Sequence, residues 1–212
     1  MEEMITNSEG EILDYTFHDP GNPSRDILII GHGVTGNKDR PLVVTLAEAV
    51  SNEGMAVLRF SFSGNGSSGG DFRDCTISKE VGDLKAVVTA AVKKGYRVTY
   101  AGHSMGGAVG VLAAFSDDRI KHLISLAGMV HTMDFYDREF GEEKPDEGCM
   151  WEEPSYPLSS TYRNDMYEIA SVASKASEIK IPWLLIHGDA DDVIPIEAVS
   201  YTHLRAHETS AD

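Results

Sequence analysis

The amino-acid sequence predicts an α/β fold built on a doubly wound, mostly parallel sheet. Short, continuously apolar runs alternate along the chain with longer segments whose apolar residues recur every three or four positions. A continuous apolar run indicates a strand that is buried on both faces, as in a parallel sheet covered by helices. The 212 residues, of which 42% are hydrophobic, suffice for one core, so we expect one domain over residues 1–198.

The first half of this domain contains a β-α-β unit and a glycine-rich loop. The run Asp26–Gly31 predicts a fully buried strand. Helical periodicity begins at Pro41 and ends at Gly54, and residues 55–60 form the next apolar run. A glycine- and serine-rich loop is expected at residues 61–70.

The same alternation continues through the second half of the domain. An amphipathic helix is expected first, because Val81, Leu84 and Val88 share one face of a helix. Strands are predicted at residues 98–101, 120–127 and 183–186, with a small-residue helix at 106–114 and another helix near 169–176. Strands that alternate with helices imply the parallel sheet.

Residues 129–167 do not fit this alternation. They are acidic, aromatic and proline-containing, and they form a long segment for a plain connection. We therefore predict a cap inserted into the domain at about 129–167. The alternative is an acidic loop without fixed structure.

Charge and composition exclude several classes of partner. The 34 acidic and 18 basic side chains give a formal net charge of -16, which repels phosphate backbones. No apolar run is long enough to cross a bilayer, and the acidic start of the chain is unlike a secretory signal. Cys75 and Cys149 lack metal-site spacing and suggest two free thiols. We expect a cytoplasmic protein with no nucleic-acid partner and no membrane partner.

The run Gly-His-Ser-Met-Gly-Gly at residues 102–107 is the strongest chemical signal. It lies between an apolar strand and a small-residue helix, so Ser104 is expected on a sharp strand-to-helix turn. The flanking glycines are needed because a Cβ would collide in that turn. This context favours a nucleophilic serine over the alternative, a serine that only shapes a turn.

A nucleophilic serine needs oxyanion donors, an orienting carboxylate and a base. The loop after the first buried strand places the amide of Val34 where it can pair with that of Met105 to form an oxyanion hole. His32 is then a structural residue. The carboxylate is expected just past a later strand, where the chemistry alone leaves three candidates open: Asp189, Asp191 and Asp192.

Four motifs in this chain order resemble those of bacterial α/β-hydrolases that include cinnamoyl and feruloyl esterases. They are His-Gly-x-Thr-Gly-Asn-Lys at 32–38, Arg-Phe-x-Phe-x-Gly-x-Gly-x-Ser at 59–68, Gly-His-Ser-Met-Gly-Gly at 102–107 and His-Gly-x-x-Asp-x-Val-x-Pro at 187–195. The resemblance covers roughly residues 10 to 198. It implies an α/β-hydrolase fold with Ser104 as nucleophile, Val34 and Met105 as oxyanion donors and Asp191 as the triad acid. Ser61 departs from the aspartate usual in those relatives.

The histidine base of such a triad follows the acid, and only His203 and His207 follow Asp191 here. A helix, a strand and their loops normally intervene, which takes at least ~20 residues. Residues 199–212 show no strand pattern and resemble the translation of a transposon-derived sequencing adapter. We therefore predict a non-native tail at 199–212 on a C-terminally truncated chain whose base histidine is missing. The alternative base is His203, folded back toward the serine.

Together these residues favour a serine hydrolase that cleaves carboxylic esters of small molecules through an acyl-enzyme intermediate. The resemblance makes aryl-acyl esters a candidate substrate class. No cofactor and no metal are implied, because no histidine and carboxylate cluster has ligand spacing. The alternatives are a peptidase or amidase on the same fold, or an inactive fragment without its histidine.

Overall fold

The computed structural model describes residues 3–21, 25–191 and 193–194, together with the backbone of residues 207–211. Strands and helices alternate from residue 26 onward, as the sequence predicts. The strands are β1 Ile5–Thr6, β2 Ile12–Leu13, β3 Tyr15–His18, β4 Asp26–Gly31, β5 Ala56–Phe60, β6 Arg97–His103, β7 Ile120–Leu126, β8 Trp183–Gly188 and β9 His207–Ala211. The helices are α1 Pro41–Asn52, α2 Ile77–Lys93, α3 Met105–Ser116, α4 Thr132–Phe140, α5 Ser160–Ile169 and α6 Ala173–Ala176.

The main sheet of the described chain has the strand order β3-β5-β4-β6-β7-β8-β9. Its strands are parallel except for β3, which pairs antiparallel with β5. The chain passes from β4 to β5 toward one edge and then returns to β6 on the other side of β4. The strand order therefore reverses between β4 and β6, and α/β sheets bind ligands at the carboxyl ends of the strands at such a point.

Helices cover both faces of this sheet, so the predicted doubly wound α/β fold is confirmed. Leu28 and Ile30 of β4 pack with Val43 and Ala47 of α1 on one face. The neighbouring β4 residues Ile27 and Ile29 belong to a larger core on the opposite face, which contains residues of α2 and α3. Both faces of β4 are buried, as its continuous apolar run predicts.

Residues 129–167 contain α4, a 3₁₀ turn at Met150–Glu152 and most of α5. Aromatic rings hold these pieces together: Phe140 contacts Trp151, Tyr136 and Tyr162, with ring centroids 4.9 to 6.3 Å apart. Thr132 Oγ1 also donates to Met166 O at 2.7 Å, which ties α4 to α5. We refer to residues 129–167 as the cap segment.

The helix predicted near residues 169–176 is wrong in its position. The α5 helix begins earlier, where Ser159 Oγ accepts the amide of Tyr162, and it ends at Ile169. Ala170 then adopts a left-handed conformation with φ 54°, and only one further turn, Ala173–Ala176, follows. The apolar spacing there reflects burial of Val172 and Ala176 after this break rather than a continuous helix.

Three N-terminal strands were not predicted, because their signals are short. β1 and β2 have two residues each, and they pair with one another antiparallel. The four residues of β3 are all half-buried, so they lack the apolar run that marks a central strand.

The expectation that residues 199–212 contain no strand is also wrong. Residues 207–211 form β9, which pairs parallel with β8 from Leu184 to Gly188. A strand edge offers backbone N–H and C=O groups to any extended segment, so this pairing needs no apolar pattern.

Candidate active site

Two loops meet at the point where the strand order reverses, between β4 and β6. Gly31, the last residue of β4, pairs in register with Gly102 of β6. The loop at residues 32–36 follows β4, and Ser104 follows β6 directly. Both predicted parts of the reaction centre therefore lie at the same edge of the sheet.

Ser104 occupies a sharp turn between β6 and α3, as the sequence predicts. Its backbone is left-handed, with φ 53° and ψ −119°, which is unusual for a residue with a side chain. Its amide donates to Leu126 O at 3.0 Å, and its carbonyl accepts the amides of Gly107 and Met129 at 2.8 and 3.0 Å. Three backbone hydrogen bonds thus hold the strained conformation. The hydroxyl has no hydrogen-bond partner among the described residues.

The glycines around this turn are required by close backbone contacts, in agreement with the prediction. A Cβ on Gly102 would collide with the carbonyl of Gly106, and a Cβ on Gly106 would lie 2.5 Å from His32 O. The turn that carries Ser104 therefore packs directly against the backbone of the loop after β4.

The residues expected to bind the oxyanion lie on both sides of Ser104. A Cβ on Gly33 would be 2.9 Å from Ser104 Cβ, so the loop that carries Val34 packs against the serine. The amide of Gly36 donates to Gly33 O at 3.0 Å and closes this loop. Met105 is the first residue of α3. Among the described residues, no acceptor bonds the Val34 or Met105 amide.

His32 is buried and supports the loop rather than taking part in proton transfer. Its Nε2 accepts the amide of Phe62 at 3.0 Å, so the ring proton lies on Nδ1, which donates to Gly33 O at 2.8 Å. Burial lowers the pKa of His32 to about 4, and the ring is neutral at pH 7. The expected structural role is confirmed by these contacts.

Ser61, the position that departs from related hydrolases, keeps a contact with the same region. It is fully buried, and its hydroxyl accepts the amide of Lys38 at 3.1 Å. The Lys38 ammonium group instead lies 3.5 Å from Asp14 and also pairs with Asp39. The serine at this position therefore holds residue 38 through a backbone hydrogen bond.

Asp191 lies three residues past β8, at the same edge of the sheet as Ser104. Its Oδ1 accepts the amides of Val193 and Ile194 at 3.0 and 2.8 Å. The other oxygen, Oδ2, is 3.8 Å from His187 Nε2, which instead bonds Ile194 O at 2.6 Å. One carboxylate oxygen thus builds the turn, and the other remains available to a histidine.

The sequence also offered Asp189, Asp192, His203 and His207 as candidates for the acid or the base. Asp189 is exposed, and both Asp192 and His203 lie outside the described residues. His207 pairs in register with Leu184, at the amino end of β9 and so far from the edge that carries Ser104. This register does not favour His207 as a base.

An open pocket of about 330 Å³ surrounds Ser104. Its walls come from the loop after β4, the start of α1, the cap segment and the turn after β8. The lining includes Val34, Arg40, Leu42, His103, Phe135, Trp151 and Val193. Sequence reasoning did not select Arg40 or Leu42 for this site, although both stand next to Pro41, where the helix start was recognised.

The described residues form neither a metal site nor a membrane-spanning helix. They contain no group of three or more histidine, cysteine or acidic side chains arranged to hold a metal ion. None of their helices is both long enough and apolar enough to cross a bilayer. Cys75 and Cys149 are both free thiols, and Cys75 is buried.

Comparison with known sequences places most of the chain in one family. The sequence model described as "Prolyl oligopeptidase family" matches residues 43–206. A curated relative, the mitochondrial palmitoyl-protein thioesterase ABHD10 of Bos taurus, is 26% identical over 177 residues. That alignment covers 77% of this chain but 56% of the relative, so the chain spans little more than half of that protein's length.

Solved structures with the same fold include esterases. Est1E from Butyrivibrio proteoclasticus, determined with ferulic acid bound, superposes with a TM-score of 0.86 at 28% identity, covering 99% of this chain and 88% of its own. Mouse alpha/beta hydrolase domain-containing protein 10 superposes with a TM-score of 0.79 at 17% identity, covering 99% and 88%. The second likeness shows the fold alone.

Proposed function

Since the chain belongs to the prolyl oligopeptidase family of α/β-hydrolases, we propose that it is a serine hydrolase that cleaves carboxylic esters through an acyl-enzyme. The observation that carries this proposal is the strained turn that presents Ser104 to a pocket beside two unpaired backbone amides. Est1E was determined with ferulic acid bound, and the ABHD10 relative is named a palmitoyl-protein thioesterase, which supports hydrolysis of esters here.

The mechanism follows from the positions of the named groups. Ser104 Oγ attacks the ester carbonyl as its proton passes to a histidine base. The amides of Val34 and Met105 stabilise the negative charge on the carbonyl oxygen, and Oδ2 of Asp191 orients the base. The alcohol leaves with the proton from the histidine, and water then hydrolyses the acyl-enzyme by the same route.

The base is the part of this mechanism that the described residues do not supply. His32 and His187 have Nε2 engaged with Phe62 N and Ile194 O, respectively. We propose that the native protein provides a histidine downstream of about Ala198, in place of the non-native residues 199–212. The alternative base is His203: the family model matches as far as residue 206, and β9 pairs with β8.

Two experiments decide the origin of the base. Resequencing the source locus is expected to show a different reading frame after about Ala198, with a histidine further downstream. If instead the 212-residue chain hydrolyses p-nitrophenyl acetate and His203→Ala abolishes that activity, His203 is the base and the truncation proposal fails.

The nucleophile is tested by covalent labelling, which detects even slow phosphonylation of a serine. The 212-residue chain is incubated with a fluorophosphonate probe, and the modified peptide is identified by mass spectrometry. Label on Ser104, absent in Ser104→Ala and retained in the buried-serine control Ser61→Ala, is the expected result. Label that persists in Ser104→Ala would rule out this serine hydrolase mechanism.

A peptidase or amidase is the second candidate, and the description of the matching family favours it. Ester and amide hydrolysis use the same nucleophile, oxyanion donors and acid. Activity on aryl esters without activity on matched aminoacyl amides would support the esterase, and the reverse preference would support the peptidase.

We also propose aryl-acyl esters as the substrates and the cytoplasm as the location of the protein. Phe135 and Trp151 line the pocket, and aromatic rings of this kind bind planar acyl groups. The two free thiols fit a reducing compartment. Hydrolysis of methyl ferulate in preference to methyl hexanoate is the result expected for an aryl-acyl site.

A further inference from the structure

Arg40 stands at the rim of the Ser104 pocket, immediately before the first residue of α1. Its Nη2 donates to Thr35 O at 2.9 Å, which anchors the guanidinium to the loop that carries Val34. A guanidinium has five N–H donors, so this one hydrogen bond leaves several donors for a ligand. The hydrogen bond to Thr35 therefore holds the Arg40 side chain in place and leaves N–H donors available to a ligand.

Among the described residues that line the pocket, Arg40 supplies the charged group, and none of them carries a carboxylate, although the chain has 34 acidic side chains. Burial lowers the pKa of the two lining histidines: that of His32 falls to about 4, and that of His103 falls below its usual value although the charge of Asp191 acts in the opposite direction. The positive charge of the described lining therefore comes from Arg40.

Three carboxylates of this region have partners other than Arg40, although Asp191 keeps Oδ2 available. Asp39 pairs with Arg59, and Asp191 accepts two backbone amides. Glu139 accepts Trp151 Nε1 at 3.0 Å and pairs with a neighbouring arginine. Within the described part of the chain, no carboxylate lies at ion-pair distance from the Arg40 guanidinium.

From this arrangement we infer that the ester bound at this site carries a carboxylate group, which Arg40 binds. The inference rests on the proposed ester hydrolase function and names its substrate class. A planar guanidinium matches the two oxygens of a carboxylate, and two parallel charge-assisted hydrogen bonds of this kind favour a carboxylate over a neutral group. The remaining walls of the pocket are apolar or uncharged and hold the rest of the ligand.

The test measures binding, so that it does not depend on turnover. The full 212-residue chain carrying Ser104→Ala is titrated by calorimetry with two matched pairs of esters. One pair is 4-acetoxybenzoate and 4-acetoxybenzamide, with the charge on the alcohol side; the other is monomethyl terephthalate and methyl 4-carbamoylbenzoate, with the charge on the acyl side. Each titration is repeated with Arg40→Gln, Arg40→Lys and the control Arg73→Gln, which removes an equal charge outside the pocket.

The expected result is roughly tenfold tighter binding of the anionic member in at least one pair. Arg40→Gln should abolish that preference, Arg40→Lys should retain part of it, and Arg73→Gln should leave it intact. Equal binding of both members, no binding of the anionic ester, or a preference that survives Arg40→Gln overturns the inference. An equal loss for both members in Arg40→Gln also overturns it, since Arg40 would then only support the loop. Labelling of Ser104 in the unsubstituted chain remains a separate test of the hydrolase itself.

Discussion

Glu80 is a buried carboxyl group on the apolar face of α2. It is 1% exposed, and neither of its oxygens has a hydrogen-bond partner among the described residues. Burial raises its pKa well above the ordinary 4.5, and the charges of Asp83 and Asp165 act in the same direction. The folded state therefore holds this proton to a higher pH than the unfolded chain does.

Replacing Glu80 by glutamine should change how stability depends on pH. Because the folded-state pKa is above the unfolded one, the contribution of this group is complete below about pH 4.5 and is lost as the pH rises through the folded-state pKa. We expect Glu80→Gln to unfold with a free energy about 1–3 kcal/mol higher at pH 8 and with little change at pH 5. Urea unfolding at both pH values measures this. The exposed control Glu48→Gln should show no such pH-dependent gain, and an equal gain there would contradict the explanation.

Asp191 should stabilise the turn after β8 through its backbone contacts. Removing the carboxylate in Asp191→Ala leaves the amides of Val193 and Ile194 without their acceptor, at a cost of about 1–2 kcal/mol to the local turn. Hydrogen exchange at these two amides should accelerate by about tenfold. Asp191→Asn keeps an oxygen acceptor and should exchange at close to the original rate, and equally fast exchange in both variants would argue against this role.

At the scale of single elements, α2 contains an interior glycine that carries a stability cost. A Cβ on Gly82 would meet nothing within 4 Å, and the residue is helical. Gly82→Ala should therefore raise the free energy of unfolding by about 0.5–1 kcal/mol. Gly95, just past the end of the same helix, has φ 87°, so Gly95→Ala should destabilise instead. Thermal unfolding of both variants checks the opposite signs.

The cap segment depends on the ring of Phe140, which is 1% exposed and contacts four other aromatic rings. Truncation to alanine should lower the free energy of unfolding by about 3–5 kcal/mol and should shift the fluorescence of Trp151, because the packing of the pocket wall changes. Urea unfolding followed by fluorescence measures both effects. The control is Phe115→Ala, at a ring that is 43% exposed, and a comparable loss there would contradict the assignment.

At the scale of the whole molecule, a net charge of -16 opposes compaction. Added salt shortens the Debye length from about 30 Å at 0.01 M to about 8 Å at 0.15 M and so screens this repulsion. Thermal unfolding should therefore shift upward by about 2–4 °C over that range, equivalent to roughly 1 kcal/mol. A downward shift in sodium chloride would mean that attractive ion pairs outweigh the repulsion.

The sequence predicted the sheet and the sharp turn at Ser104 because both depend on local patterns. Apolar runs such as Asp26–Gly31 identify central strands. The glycines around Ser104 indicate a turn in which a Cβ would collide with the backbone. The pocket walls were not predictable in this way. Arg40 and Trp151 are far apart in the chain, and they meet only after the cap segment folds over the sheet. The burial of Glu80 was predictable, because this residue lies on the same helical face as Leu84.

The turn that carries Ser104 touches the loop after β4, and this contact affects how the pocket walls can be varied by engineering. A Cβ on Gly106 would strike His32 O, so the position of Ser104 relative to the loop that carries Val34 depends on touching main-chain atoms. Leu42 and Val193 line the pocket, and neither is among the residues that a Cβ on Gly106 would meet there. Libraries that vary these walls should therefore retune which substrates are accepted while the reacting atoms keep their alignment, which makes the fold a tolerant scaffold for new specificities.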